Sequence, residues 1–304
     1  MPRMLVRKNP GTFKTLPLVV EADAECLTYQ SVGRALNFSE MLERRKPVDI
    51  SDGERFSVEL ANLGVSVRVT LKWQNRDYWV LVRQRRQDRG DVVLKLVSGY
   101  VPAHELNLPL LTAIQEVAEE CLIEAPDGWL QGRFGETWLP APYAGSLQYQ
   151  EARQFRLNPL SGAARPVRCG NLTLLERPRA YVHAPTASLQ LVYDLSLELP
   201  KATGPVSLFH VDEKLEGDTL VARLDRARPD LYLVPLLDGR PTDELFTLSA
   251  GELRPASTRG LWLAESFAEQ TGWLVRDERV RWKDWIARVN KAAAPENEQG
   301  RRCR

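Results

Sequence analysis

Residues Val65–Trp73 read VSVRVTLKW, an unbroken alternation of apolar and polar side chains. A period of two is the signature of a strand with one buried face. Two more strand-like segments follow: YWVLVR at Tyr78–Arg83, apolar enough to be central, and DVVLKLV at Asp91–Val97. The turn Gln74–Asp77 separates the first two, and the polar run Gln84–Gly90 separates the second and third. The period then changes. After Ser98 and Gly99 comes a loop, and beyond it Ile114, Val117 and Cys121, flanked by Leu110 and Ala118, form an apolar stripe at helical spacing. Pro109 suits the first turn of that helix, where its missing N–H costs nothing. Pro126 and Gly128 are its expected stop. The expectation is an α/β fold in which a mixed sheet lies between helices.

The flanks are less regular. Leu16–Val20 reads as a short strand, Ser39–Arg45 as a helix and Pro47–Glu54 as a turn. Residues Trp138–Arg179 are rich in Pro, Gly, Arg and Gln with little periodicity, and read as a long loop. Ser188–Leu199 alternates and is a strand. Pro229–Leu237 is another, with Pro235 marking an edge or bend. Helices are expected at Leu261–Gln270 and Glu278–Lys291, the second packing through Val280, Trp282, Trp285, Ile286 and Val289. Trp262 and Trp273 are likewise expected to be packing residues. This divides the chain into an N-terminal extension (1–60), a main domain (61–292) with an insertion at about 138–186, and a polar tail (293–304).

With 304 residues the chain can bury a sizeable core, and its 41 Lys and Arg against 40 Asp and Glu carry no polyanion-binding signature. Nucleic acid is therefore not an expected partner. No segment approaches the roughly 20 apolar residues of a membrane span, and LPLVV is too short for a secretory core before Glu21. A soluble, cytoplasmic protein is the expectation. The four cysteines (Cys26, Cys121, Cys169, Cys303) form no CxxC pair, and the three histidines (His104, His183, His210) are far apart. Neither a zinc site nor a disulfide framework is indicated.

The chemistry lies in Gly99–Ile123, GYVPAHELNLPLLTAIQEVAEECLI. Glu116, Glu119 and Glu120 stand at i, i+3 and i+4, which puts three carboxylates on one helix face. Like charges at that spacing repel, and a divalent cation removes the repulsion. Mg²⁺ takes hard oxygen ligands and leaves positions for water and substrate phosphates. Such a cluster suits diphosphate hydrolysis, with the metal acidifying a water and a glutamate taking its proton.

This stretch resembles a diverged Nudix box, G-x5-E-x7-R-E-U-x-E-E-x-G-U with U aliphatic. Gly99 and Glu105 match its opening, and Gln115–Ile123 aligns with R-E-U-x-E-E-x-G-U. The chain departs in three places: nine residues separate Glu105 from Gln115, Gln115 replaces the arginine that orients a catalytic glutamate, and Leu122 replaces the second glycine. The resemblance implies a Nudix-like α/β/α sandwich. It also implies Mg²⁺ or Mn²⁺ held by Glu116, Glu119 and Glu120, with Glu105 as an auxiliary ligand or helix-orienting acid. Glu116 or Glu120 would be catalytic, the substrate would be a nucleoside diphosphate linked to another group, and the assembly could be a homodimer. Arg83, Arg85 and Arg86, at a strand end before the box, are candidates for phosphate contact by position alone. Two other readings stay open: a Nudix-like domain that binds a nucleotide or protein partner without catalysis, and an unrelated α/β fold with an acidic helix face.

Overall fold

The fold is taken from a computed structural model, which describes residues 2–9, 11, 13–85, 92–160, 162–163, 165–201, 204–264, 274–276 and 280–292. Its spine is the strand Phe56–Trp73, which contains the alternating VSVRVTLKW. One edge of this strand runs parallel to Ser188–Glu198, in register from Asn62↔Ser188 to Leu71↔Leu197. Three antiparallel partners also pair with it in turn. Leu18–Ala22 pairs with its start, Val97–Tyr100 with its middle at Val65↔Gly99, and Arg76–Arg85 with its end. Gln74 and Asn75 both have positive φ and close the last of these hairpins, as a two-residue turn between twisted strands requires. Residues Ala61–Val67 are buried without interruption, because strands lie on both edges and side chains cover both faces.

The Arg76–Arg85 strand shows how the faces divide. Tyr78, Val80 and Val82 point into the cluster that also holds Ala113, Ile114, Val117 and Ala118 of the helix Pro109–Glu120. Trp79 and Leu81 point into a second cluster with Trp282, Trp285, Ile286 and Val289 of the helix Trp282–Ala292. The two helices therefore cover opposite faces of the sheet. Trp79 and Trp285 meet at 5.8 Å between ring centroids, and the Arg68 guanidinium stacks 4.7 Å over Trp79. Arg68 and Arg179 both pair with Asp194 at the strand junction, at 2.6 and 2.8 Å.

The mixed sheet is as expected, but the helical share is smaller than α/β implies. Among the described residues there are three α-helices, with the third at Phe38–Arg44, and most strand pairs are antiparallel. The fold is α+β in class. Among these residues no helix is long and apolar enough to cross a membrane.

Several local expectations need correction. The Trp138–Arg179 region is not a long loop. Tyr149–Pro159 is a strand parallel to Gly128–Phe134 and antiparallel to Ser188–Glu198, and Val167–Cys169 pairs with Leu27–Ser31. Trp262–Leu263 forms a short strand beside Leu94 rather than a helix; residues 265–270, like Trp273 and Arg86, lie outside the described residues. The last helix begins at Trp282. The acidic helix ends at Glu120, and Leu122–Ala125 is already a strand. Gly128, at φ +139, closes the hairpin from that strand to the next instead of stopping a helix. The first sixty residues are woven in: Arg3–Lys8 pairs along its whole length with Thr219–Leu224.

Candidate functional site

The helix Pro109–Glu120 buries Thr112, Ala113, Ile114, Val117 and Ala118 against the sheet. With that stripe fixed inward, the i, i+3, i+4 spacing sends Glu116, Glu119 and Glu120 off one flank of its last turns. All three are half-buried. Cys121 leaves helical geometry, and Leu122 enters the strand that pairs with Ser207–Phe209. This accounts for leucine where the Nudix motif has glycine. The position is a buried strand residue, 2% exposed and packed with Trp129 and Phe209, and it has no positive φ to accommodate.

Glu116 lies against the backbone of Gly99, so closely that a Cβ there would overlap its carboxylate. A side chain there would displace the Glu116 carboxylate, the flexible end of that residue. Burial pushes the Glu116 carboxyl up to about 8, and Glu120 and Glu119 add to the effect; Lys95 and Arg7 only partly offset it. Glu119 is also raised by burial, although Arg7 Nη2 sits 2.9 Å from its Oε2. Arg7 comes from the Arg3–Lys8 strand. Its Nε donates to Glu213 Oε1 at 2.5 Å and its Nη2 to Glu213 Oε2 at 2.8 Å. The Tyr143 hydroxyl donates to the same Glu213 Oε1 at 2.5 Å.

Glu120 has a different setting. Lys95 Nζ is 3.6 Å from its Oε1 and donates to Ser98 Oγ at 2.8 Å. Glu120 Oε2 is buried and has no hydrogen-bond partner among the described residues. His210, 4% exposed, places Nδ1 3.3 Å from the Glu120 main-chain carbonyl oxygen and Nε2 3.5 Å from Asp212. The Nδ1–H donates to that carbonyl, and Nε2 faces Asp212 Oδ1. Burial raises the Asp212 carboxyl, but His210, the Arg85 main-chain N–H and Lys95 outweigh it and hold the group below its ordinary value.

Four carboxyl groups (Glu116, Glu119, Glu120, Glu213) thus face two fixed cations, Arg7 and Lys95. As the side chains stand, no group of three or more His, Cys, Asp or Glu among the described residues is arranged to hold a metal ion. The donor chemistry nevertheless suits a hard divalent cation. The side chains gathered here are carboxylates, one buried oxygen lacks a partner among the described residues, and burial first, then Glu120 and Glu119, push the Glu116 carboxyl up.

The other sequence candidates are placed elsewhere. Glu105 is buried and accepts a hydrogen bond from Thr112 Oγ1 at 2.6 Å, with His104 Nε2 3.7 Å away. It ties the turn before the helix to Thr112 in its first turns. Arg83 is engaged by Asp230 at 3.5 Å, which Arg228 also pairs at 3.3 Å, and Arg85 donates its main-chain N–H to Asp212. The cations at the glutamates are instead Arg7 and Lys95. Lys95 carried a legible signal, a charge inside the apolar run DVVLKLV. Arg7, Tyr143 and Glu213 carried none, being brought together from distant parts of the chain. No family model matches the chain, and no curated protein matches it.

Proposed function

We propose that the chain is a cytoplasmic, Nudix-type α/β/α sandwich that hydrolyses a nucleoside diphosphate linked to another group, with Mg²⁺ or Mn²⁺ at Glu116, Glu119 and Glu120. The observation that carries this reading is the crowding of three half-buried carboxyls at the end of the helix: Glu116, pressed on Gly99, is pushed up to about 8 by burial and by its two neighbours. A divalent ion bound there would screen phosphate charge and lower the pKa of an attacking water. The protein's own groups do the rest. One P–O bond to the leaving group breaks, a new one forms to the water oxygen, and the water proton passes to a carboxylate. Glu120 is assigned that role because its buried Oε2 has free lone pairs while Lys95 steadies Oε1. Lys95 also offers positive charge where negative charge develops on phosphate oxygens.

The test is turnover of ADP-ribose, nucleotide sugars and dinucleotides with Mg²⁺, followed by phosphorus NMR, in the wild type and Glu120→Gln. Loss of a positioned general base costs on the order of 10²–10⁴ in rate. An unchanged rate would remove Glu120 from this role.

A second reading is a binding domain without catalysis. Arg7 and Lys95 already neutralise part of the acidic charge, and Gln115 offers neither the charge nor the bidentate fork of arginine. Wild-type binding of these nucleotides with no turnover of any of them favours it.

A further inference from the structure

We propose that Arg45 and Asn62 hold a carboxylate, the charged end of a small carboxylic acid, on the face of the sheet turned away from the acidic helix. The proposal is independent of the metal-dependent reading above.

The site follows from what the chain buries. In Glu43–Arg44–Arg45–Lys46 three charged side chains are exposed, and Arg45 alone is turned inward, 8% exposed. It caps the helix Phe38–Arg44 and follows the fully buried Met41 by four residues, which puts both on the inward side. Its Nη1 donates to Asn62 Oδ1. That contact fixes the Asn62 amide, since the flipped amide would set N–H against N–H. Among the described residues Arg45 makes no ion pair, and its buried Nε has no hydrogen-bond partner. Asn62 is fully buried, and its Nδ2 has no partner either.

The floor beneath this pair is polar. Asn62, Gly64 and Ser66 alternate along the central strand with Leu63, Val65 and Val67, which face the main core. Ser188 lies in register beside Asn62 and His183 beyond it, and Gln190 lies beside Gly64. Asn62, Ser66, Ser188 and His183 are at most 3% exposed, and none of these side chains is an acid. A guanidinium buried over amides and hydroxyls is a cation short of its counter-ion, and an unpaired buried charge is costly.

The charge count sets the ligand class. One arginine neutralises a monoanion, whereas a phosphate dianion would leave net charge buried. The guanidinium edge that carries Nε offers parallel N–H donors to the two oxygens of a planar carboxylate, and Asn62 Nδ2 is a further donor. Room comes from Gln190. Its amide lies across Gly64, where a Cβ would fall 2.3 Å from Nε2, and it is the flexible end of a side chain that donates to Ser188 Oγ at 2.8 Å.

The test is thermal melting of the full chain in a zwitterionic buffer, titrated with sodium acetate, sodium chloride or sodium phosphate at matched ionic strength. Acetate should raise the wild-type Tm saturably, by about 5 °C at a hundredfold excess over its Kd. Arg45→Met keeps a long apolar stem and removes the charge, and its apparent acetate affinity should fall at least about tenfold. Asn62→Asp sets a carboxylate of the chain itself against Arg45. It should melt higher than the wild type without acetate and stop responding to it, and it decides the matter if Arg45→Met does not fold. A wild-type Tm that acetate leaves unmoved, or moves no more than chloride or phosphate does, overturns the proposal, as does an acetate response unchanged in both variants.

Discussion

Glu116→Gln gives the sharpest view of the site without any substrate. The carboxyl ordinarily titrates near 4.5 and is pushed to about 8 here by burial and by Glu120 and Glu119. Between those values the folded chain holds a proton that the unfolded chain has released. Stability from this group is complete below the unfolded value and is lost as pH rises through the folded one. The slope is about 1 kcal/mol per pH unit, so the cation-free wild type should lose roughly 3–4 kcal/mol between about pH 5 and 8 from this group. The amide that replaces the carboxyl cannot ionise, so the variant should lack that slope. The assay is urea denaturation over this pH range in EDTA, repeated with saturating Mn²⁺. Other perturbed groups, such as Glu119 and Asp212, are present in both proteins and largely cancel in the difference. The predicted difference curve favours the variant increasingly as pH rises, and Mn²⁺ should flatten the wild-type slope. Parallel wild-type and variant curves in EDTA would refute the reasoning, because they would mean that Glu116 ionises in the folded chain as it does in water.

Gly99→Ala places a methyl group where the Glu116 carboxylate lies; because that is the flexible end of a side chain, it should cost no more than about 1 kcal/mol in stability while weakening Mn²⁺ uptake, measured by thermal melts and calorimetry. Leu122→Gly would make the motif conform better to the Nudix pattern, yet it empties a buried strand position; the expected result is about 3 kcal/mol of destabilisation with no gain in turnover.

The parts of the fold visible in the sequence were those where one residue decides one contact. In VSVRVTLKW every second side chain is committed to a face, and the strand came out at the centre of the sheet. Ile114, Val117 and Cys121 marked the buried face of the acidic helix for the same reason. Tyr149–Pro159 was missed because its reading, YQEARQFRLNP, commits few residues: Phe155 and Leu157 alone are fully buried, and the strand is held by backbone pairing on both edges. Arg3–Lys8 was opaque because its face is inverted, with Met4 and Val6 exposed and the charged Arg7 turned toward Glu119 and Glu213. The three helix glutamates were legible from spacing. Their cations were not, since Arg7 meets Glu119 across 112 positions and Glu213 across 206. Arg83 stood at a suitable strand end, but Asp230 beside the neighbouring strand takes it. Position along a strand does not reveal which partner the next strand supplies.

Crystals grown or soaked with Mn²⁺ and measured at the manganese absorption edge would test the central claim most directly. The account predicts one strong anomalous peak within about 2.0–2.5 Å of oxygens from Glu116, Glu119 and Glu120. Peaks only elsewhere, or none at Mn²⁺ concentrations that saturate the protein in solution, would contradict it.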